Sequence, residues 1–191
     1  MSLTGVLSYQ GGFERHLERL AGLGVRTLPV RSVEALERVD ALIIPGGEST
    51  TIGMLMERFG IMQALLARIA TGLPVFGTCA GAILLAADIE GSEQPRLGAL
   101  DITVRRNAYG RQIESFEADV SDAAWNGAAF HGVFIRAPQI VRVGAGVRTI
   151  LRFESLPVLV REKNMLAATF HPELTGDDRI HRYFLEEVAG I

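Results

Sequence analysis

The chain has 191 residues, of which 48% are hydrophobic and 21% are charged, so it can form one domain with a sizeable buried core. This composition excludes intrinsic disorder, collagen-like repeats and coiled coils. The 19 basic and 22 acidic residues give a net charge of -3, so the basic surplus that is typical of nucleic-acid-binding proteins is absent.

The apolar residues form no run that is long enough for a membrane span. The longest run covers about residues 80–87, far short of the ~20 residues that cross a bilayer. No basic segment precedes an apolar one at the N-terminus, so no signal peptide is expected. A single cysteine, Cys79, cannot form an internal disulfide, which favours a reducing compartment. We therefore expect a cytoplasmic protein.

Apolar runs and amphipathic stretches alternate through the first half of the chain. Strands are predicted at residues 4–8, 25–30, 40–44 and 73–77. Helices are predicted at residues 13–23, in a short segment capped by Ser32 that includes Val39, at residues 52–70 with an interruption near Gly60, and at residues 80–87. This β-α-β-α order predicts a mainly parallel sheet with helices on both faces.

The second half of the chain has short strands that are separated by glycine and proline. They are predicted at residues 102–104, 116–120, 133–135, 149–151 and 158–160. A buried type of strand at residues 165–170 and an amphipathic helix at residues 177–188 complete the pattern. The predicted fold class is α/β. We expect one domain over residues 1–191, with three α/β/α layers, a mainly parallel central sheet and a small β-rich extension.

The segment Gly77-Thr78-Cys79-Ala80-Gly81 lies between a predicted strand and a predicted helix. Its G-x-C-x-G pattern is the cysteine form of a nucleophile elbow, a tight strand-to-helix turn that exposes the nucleophile. Glycine is needed on both sides because the turn leaves no room for neighbouring β-carbons. The N-terminus of the following helix favours a thiolate at Cys79. The alternative is a structural cysteine in the core, which the flanking glycines make the weaker interpretation.

A thiolate nucleophile needs a partner that moves protons, and four histidines are available. His16 and His181 lie among charged residues of predicted helices, so both are expected on the solvated surface. His131 lies in a predicted loop, and its sequence context assigns it no role. His171 differs because it directly follows the buried type of strand.

His171 begins the sequence His171-Pro172-Glu173, at the end of a predicted strand. Residues two apart in an extended chain face the same side, so Glu173 can hold one imidazole nitrogen while the other faces Cys79. Active sites of open parallel sheets collect at such strand ends. Together with the elbow, this segment predicts a Cys79–His171–Glu173 triad.

The segment from Pro45 to Thr51, Pro-Gly-Gly-Glu-Ser-Thr-Thr, directly follows the third predicted strand. Acyl transfer develops negative charge on a carbonyl oxygen, which the backbone N–H groups of a Gly-Gly turn and of Ala80 can stabilise. A phosphate-binding loop is the rival interpretation, but G-x-x-x-x-G-K-[ST] is absent, and the G-x-G at Gly22–Gly24 lacks the third glycine of a dinucleotide site. No residues have metal-ligand spacing, so neither a metal nor a cofactor is expected.

These motifs resemble those of the class I (triad) glutamine amidotransferases, and within that superfamily the glutaminase subunits of two-component pyridoxal 5'-phosphate synthases. The resemblance covers nearly the whole chain. The segments that carry it are residues 10–11, 45–51, 105–112, 115–119, 132–138 and 170–175. It implies a flavodoxin-like fold and hydrolysis of L-glutamine to L-glutamate and ammonia through a thioester. It also implies that ammonia passes to a separate synthase subunit that makes pyridoxal 5'-phosphate, in vitamin B6 biosynthesis.

The resemblance implies a role for each matching residue. Cys79 is the implied nucleophile, His171 the general acid/base and Glu173 its orienting partner. The implied glutamine site consists of Gly47, Glu48, Ser49, Arg106, Ile135 and Arg136. A guanidinium suits the α-carboxylate of glutamine because its planar fork binds two oxygens at once.

Family members are poorly active until they dock on the synthase, which implies that docking completes the oxyanion hole. Gln10 and the Gly46-Gly47 turn are the expected moving parts. Four positions depart from the residues that we expect in this family, and none of them is a triad member. They are Tyr9, Ala82, Ala108 and Tyr109.

Three other interpretations are considered. A class I glutaminase that supplies another synthase, such as one making histidine or an aromatic precursor, has the same triad and a different ammonia acceptor. A non-catalytic flavodoxin-like module is disfavoured because the histidine and the carboxylate are both present. A cysteine hydrolase or stress protein of related fold uses an elbow without the His-Pro-Glu sequence.

Overall fold

The computed structural model describes residues 2–106, 115–121 and 129–191. Within these ranges the strands are β1 (Leu3–Leu7), β2 (Arg26–Val30), β3 (Ala41–Ile44), β4 (Val75–Thr78), β5 (Ala86–Ile89), β6 (Leu100–Arg105), β7 (Ser115–Val120), β8 (Phe130–Ile135), β9 (Gln139–Val143), β10 (Arg148–Phe153), β11 (Leu156–Glu162) and β12 (Met165–Ala168). The helices are α1 (Phe13–Gly22), α2 (Val33–Glu37), α3 (Ser49–Arg58), α4 (Ile61–Ala70), α5 (Ala80–Leu85) and α6 (Arg179–Tyr183). A 3-10 turn covers Pro172–Leu174, and a π-helical segment, Phe184–Ala189, continues α6.

Seven strands form the central sheet in the order β10-β11-β12-β4-β3-β1-β2. The strands from β12 to β2 are parallel to their neighbours, and β11 and β10 add an antiparallel edge. A three-stranded sheet, β5-β6-β9, and an antiparallel pair, β7-β8, lie outside the central sheet. The predicted fold class is therefore confirmed, with a β-rich extension beside a mainly parallel sheet.

Two apolar clusters cover the two faces of the central sheet. Successive residues of β3 alternate between them, since Leu42 packs in one cluster and Ile43 in the other. The first cluster contains buried side chains of α2, α3, α4 and α5. The second contains buried side chains of α1, α6 and the π-helical segment. All four residues of β3 and of β4 are buried, as expected for parallel strands that are covered on both faces.

The predicted interruption of the long helical region is confirmed at Gly60, which has a φ of +73° and separates α3 from α4. Ser32 caps α2 as predicted, accepting a hydrogen bond from the Ala35 N–H at 3.3 Å. The helix ends at Glu37, however, so the prediction that it includes Val39 is wrong.

The structure differs from the prediction at two further places, the end of α5 and strand β9. The helix expected at residues 80–87 ends at Leu85, because Ala86 pairs with Leu100 and begins β5. Sheet pairing here overrides the high helix propensity of alanine. Strand β9 was not predicted at all. In the part of the chain that the structure describes, no helix combines the length and apolar character that a membrane crossing needs.

Candidate active site

Cys79 lies in the turn between β4 and α5. Its backbone has a φ of +48° and a ψ of -100°, a region that residues with a β-carbon rarely adopt. The Cys79 N–H donates to the Ala168 carbonyl of β12 at 2.8 Å, so the neighbouring strand holds the turn. A β-carbon at Gly81 would overlap the Ile44 carbonyl oxygen, and one at Gly77 would lie 2.5 Å from the Gly81 backbone. The close approach therefore requires both glycines of the predicted elbow.

His171 follows β12 and approaches Cys79 from the next strand of the sheet. The backbone N–H of His171 donates to the Val133 carbonyl at 2.8 Å, and its ring Nδ1 lies 2.7 Å from Glu173 Oε1. Glu173 lies in the 3-10 turn and is 2% exposed. The predicted contact between His171 and Glu173 is present. The prediction that an extended backbone brings them together is wrong, because a 3-10 turn does so.

The charges around His171 favour its protonated form. Burial lowers the pKa of His171, but hydrogen bonds and Coulomb attraction to Cys79 and Glu173 outweigh burial and raise that pKa to about 10. Burial raises the pKa of Glu173, and the electrostatic effect of the neighbouring His16 and the hydrogen bond from His171 outweigh it, so the net shift is downward. At neutral pH the arrangement places an imidazolium between the sulfur and a carboxylate.

A cavity of about 200 Å³ opens in front of Cys79 and His171. The other residues that line it are Gln10, Gly47, Glu48, Ser49, Ile83, Arg106, Ile135 and Arg136. All six residues of the predicted glutamine site thus lie around one cavity, while Glu173 lies behind His171. Ile83 was missed by the sequence analysis, because an apolar residue in a predicted helix gives no signal of its own.

Opposite charges meet on one wall of this cavity. Arg106 Nη2 lies 3.1 Å from Glu48 Oε1, and Arg106 Nη1 donates to Gln94 Oε1 at 2.6 Å. The Glu48 carboxylate also caps α3, accepting from the N–H groups of Thr50 at 3.3 Å and Thr51 at 2.7 Å. Gln94 was not predicted, since it lies in a loop without a motif. Its side chain holds the guanidinium beside Glu48.

The Gly46-Gly47 turn is held by the loop after β1. The Gly46 carbonyl accepts from the Gly12 N–H at 2.9 Å, and the Glu48 N–H donates to Gln10 Oε1 at 2.8 Å. A β-carbon at Gly46 would overlap the His171 ring, so only glycine allows the turn to approach the imidazole. Among the described residues, no group of three or more His, Cys, Asp or Glu is placed to hold a metal ion.

Comparison with known proteins identifies the family. The model of the SNO glutamine amidotransferase family matches residues 6–190. The chain belongs to this family. A pyridoxal 5'-phosphate synthase subunit PdxT from Pelotomaculum thermopropionicum is 55% identical, with 96% of this chain and 94% of the relative covered. A PdxT from a strain of Thermus thermophilus is 54% identical, with 99% and 98% covered.

Solved structures support the same assignment. A crystal structure of a glutamine amidotransferase has a TM-score of 0.92 and 54% identity, covering 98% of this chain and 99% of that one. The structure of PurLQS from Thermotoga maritima has a TM-score of 0.72 at 15% identity, over 98% of this chain and 99% of that one, and shows the shared fold alone. The resemblance to glutamine amidotransferases that the sequence suggested is confirmed.

In this glutamine amidotransferase the three histidines outside the candidate site do not lie in the surroundings that the sequence predicted. His16 and His181 are fully buried, so their predicted surface positions are wrong. His131 lies in β8 and is exposed, and its Nε2 is 2.7 Å from Glu117 Oε2. A signal for His16 was present, because it lies three residues after Phe13 and four before the buried Leu20, on the apolar face of α1.

Two of the four departures from the family pattern can be located. Tyr9 stacks on Phe59 with 5.3 Å between ring centroids and donates its hydroxyl to the Arg31 carbonyl at 2.9 Å. Ala82 is fully buried in α5. Ala108 and Tyr109 lie outside the described residues. Tyr9 therefore anchors the loop that carries Gln10, and Ala82 packs in the core.

Proposed function

We propose that this chain hydrolyses L-glutamine to L-glutamate and ammonia through a triad of Cys79, His171 and Glu173, with residues 1–191 acting as one glutamine amidotransferase domain. One observation carries the proposal. The only thiol of the chain lies in a strained elbow, beside an imidazole that is paired at 2.7 Å with a buried carboxylate. Membership of the family supports the substrate class.

The chemistry follows from the geometry of the elbow. The Cys79 thiolate attacks the side-chain amide carbon of glutamine, and the C–N bond breaks as His171 gives its proton to the leaving ammonia. A thioester remains on Cys79. His171, now neutral, takes a proton from water, which attacks the thioester and releases glutamate.

Negative charge develops on the substrate oxygen in both steps and needs donors that are already in place. The Ala80 N–H at the start of α5 is one such donor, since it directly follows the nucleophile. The Gly47 N–H, in the turn that Gln10 and Gly12 hold, becomes the second donor once this peptide has turned toward the substrate. We assign to the Gly46-Gly47 peptide the movement that completes the oxyanion hole when the partner docks.

The Glu48 and Arg106 pair fits the two charges of an α-amino acid. A carboxylate binds the α-ammonium group of glutamine, and a guanidinium binds its α-carboxylate. The side chain of glutamine then extends across the cavity toward Cys79. Ser49, Ile135 and Arg136 complete the wall around the substrate.

Ammonia passes to a pyridoxal 5'-phosphate synthase subunit in a hetero-oligomeric complex of the cytoplasm. The support is that the relatives which match nearly the whole chain are named as subunits of this synthase. The test is glutamate release from L-glutamine by the purified chain, with and without its cognate synthase subunit. We expect turnover that the partner increases. Absence of glutamate release in both conditions, from a chain that is shown to be folded, would refute the proposal.

Substitution of Arg106 by lysine is expected to raise the KM for glutamine by roughly 10-fold, because an ammonium cannot replace a two-pronged guanidinium. The kcat is expected to stay within about threefold, since the proposed contact of Arg106 is with the α-carboxylate and not with the reacting amide. Steady-state kinetics of the complex measure both values. Arg105→Lys is the matched control, because Arg105 pairs with Glu90 at 2.6 Å outside the cavity. Equal KM values for the two variants would contradict the assignment of Arg106.

A further inference from the structure

A row of buried polar side chains extends from the triad into the core. His16 on α1 and His181 on α6 are fully buried. His16 Nδ1 lies 3.0 Å from His181 Nε2, and His16 Nε2 lies 3.2 Å from Thr78 Oγ1 and 3.3 Å from Glu173 Oε2. Imidazoles in an apolar core cost free energy that apolar side chains would not. Neither His16 nor His181 takes part in the proposed mechanism.

His16 contacts both sides of the triad. Thr78 is the residue before the nucleophile, and Glu173 is the carboxylate that holds His171. Glu173 Oε1 is hydrogen-bonded to His171 Nδ1, whereas Oε2 has no hydrogen-bond partner within the described ranges. His16 Nε2 lies 3.3 Å from this second oxygen, within ion-pair distance. One side chain therefore joins the strand that carries the nucleophile to the carboxylate that orients the base.

The position of the protons follows from burial. Burial lowers the pKa of His16, and it lowers the pKa of His181 to about 3, so both imidazoles are neutral at neutral pH. A neutral imidazole has one N–H and one acceptor nitrogen. If His181 donates from Nε2 to His16 Nδ1, the proton of His16 lies on Nε2 and faces Thr78 and Glu173. The remaining nitrogen, His181 Nδ1, is then an acceptor, in agreement with its lack of a partner among the described atoms.

We infer that His16 is a positioning residue of the triad, whose Nε2–H holds the second oxygen of Glu173 while His181 fixes its tautomer. This inference rests on the proposed function. Without His16, the Glu173 carboxylate can rotate and His171 loses its fixed orientation toward Cys79. Because His16 does not line the cavity, its loss affects the chemical step and leaves glutamine binding unchanged.

Two amide variants separate positioning from packing. In His16→Gln the side-chain amide reaches the place of Nε2, whereas in His16→Asn it reaches only the place of Nδ1. Neither amide titrates, and both put a polar group into the same buried space. In complex with the synthase subunit we expect His16→Asn to lower kcat roughly 10- to 100-fold with KM within about twofold, and His16→Gln to retain kcat within about threefold.

The matched control is His131→Gln, an exposed histidine of β8, which should leave both constants unchanged. Thermal unfolding of all three variants reports on folding. If His16→Asn and His16→Gln both equal the wild type, or if both lose activity to the same degree, His16 does not position Glu173 and the inference is overturned.

The pH dependence of Cys79 alkylation gives a second test of the positioning role, because a loss of packing alone would not shift it. The titratable groups that act on His16 in the described ranges are Glu173, His171 and the hydrogen-bonded His181 from α6, and Arg19 from α1 acts on His181. Loss of the Nε2–H raises the pKa of Glu173, because its charged form loses a stabilising neighbour. The rate of Cys79 alkylation by iodoacetamide, measured against pH on the isolated chain, should therefore have its acid limb at higher pH in His16→Asn.

The alkylation experiment needs neither glutamine nor the synthase. If the wild-type complex releases no glutamate, the proposed function fails, and the alkylation profiles alone decide on His16. A shifted acid limb in His16→Asn that His16→Gln restores would support the positioning role. Superimposable profiles for the wild type and His16→Asn would overturn it.

Discussion

Replacement of Cys79 by alanine is expected to lower glutamate release by roughly 10⁴-fold or more, because removal of the nucleophile prevents the thioester from forming. The measurement is kcat for glutamine hydrolysis in complex with the synthase subunit. Thiol titration supplies an internal control, since the wild type has one cysteine and the variant has none. Residual activity above about a tenth of the wild type would remove Cys79 from the mechanism.

A glycine at the same position separates loss of activity from loss of structure. The positive φ of Cys79 stores about 1–3 kcal/mol of strain, which alanine keeps and glycine relieves. Glycine also gains about 0.5–1 kcal/mol of backbone entropy in the unfolded chain, which opposes part of this relief. Cys79→Gly should therefore be as inactive as Cys79→Ala and unfold at a higher temperature. A melting temperature of Cys79→Gly no higher than that of Cys79→Ala would show that any strain at the elbow is no larger than this entropy term of about 0.5–1 kcal/mol.

The free energy of unfolding is expected to fall steeply as the pH falls from 6.5 to about 4.5. His181 has a pKa near 6.5 when unfolded and about 3 when folded, so the unfolded chain binds more protons in this window. Each pH unit then removes about 1.4 kcal/mol, and the full shift amounts to roughly 5 kcal/mol. His16 acts in the same direction because burial lowers its pKa as well.

The titration of the triad residues His171 and Glu173 affects the free energy of unfolding outside this pH window. The pKa of His171 is raised to about 10, so its contribution to stability is complete below pH 6.5 and is lost as the pH rises through 10. The pKa of Glu173 is lowered, so its contribution is present above about 4.5 and is lost in stronger acid. The slope between 6.5 and 4.5 therefore belongs to the two buried histidines.

Urea unfolding at several pH values from about 7 to about 4.5 measures this slope. His181→Gln removes one titrating group and should flatten the slope by about 1.4 kcal/mol per pH unit, whatever its effect on absolute stability. His131→Gln, on the surface, should leave the slope in this window unflattened. Parallel curves for the wild type and His181→Gln would show that His181 is not a buried neutral imidazole.

Much of the fold could be predicted because the parallel strands are short apolar runs. Every residue of β3 and of β4 is buried, which makes such strands conspicuous between amphipathic helices. The places of Cys79 and His171 followed from the same logic, since Cys79 directly follows β4, His171 comes three residues after the end of β12, and β12 pairs with β4. Both elbow glycines could be predicted from the motif, although only the requirement at Gly77 is local, since Gly81 has to clear the Ile44 carbonyl of β3.

The features that sequence reasoning missed depend on contacts between distant segments. His181 was placed on the surface because Arg182 and Arg179 flank it, although Ile180 and Phe184 mark a buried face of the same helix. Strand β5 begins at an alanine that favours a helix until β6 pairs with it. Gln94 gains its role only when folding brings Arg106 beside it. The start of β5 and the role of Gln94 needed knowledge of the neighbour across the fold, whereas the burial of His181 had a signal in its own helix.

The position of β12 has a consequence for how the chain is made. This strand lies beside β4 in the sheet, and the Cys79 N–H donates to the carbonyl of its last residue, yet β12 is synthesised long after β4. While the ribosome still holds residues 165–173, β4 is an open edge with apolar residues such as Phe76, and such edges attract other strands. A nascent chain therefore carries Cys79 before it has His171, the proposed base. We expect no glutamine hydrolysis until residues 165–173 have been made and have paired with β4.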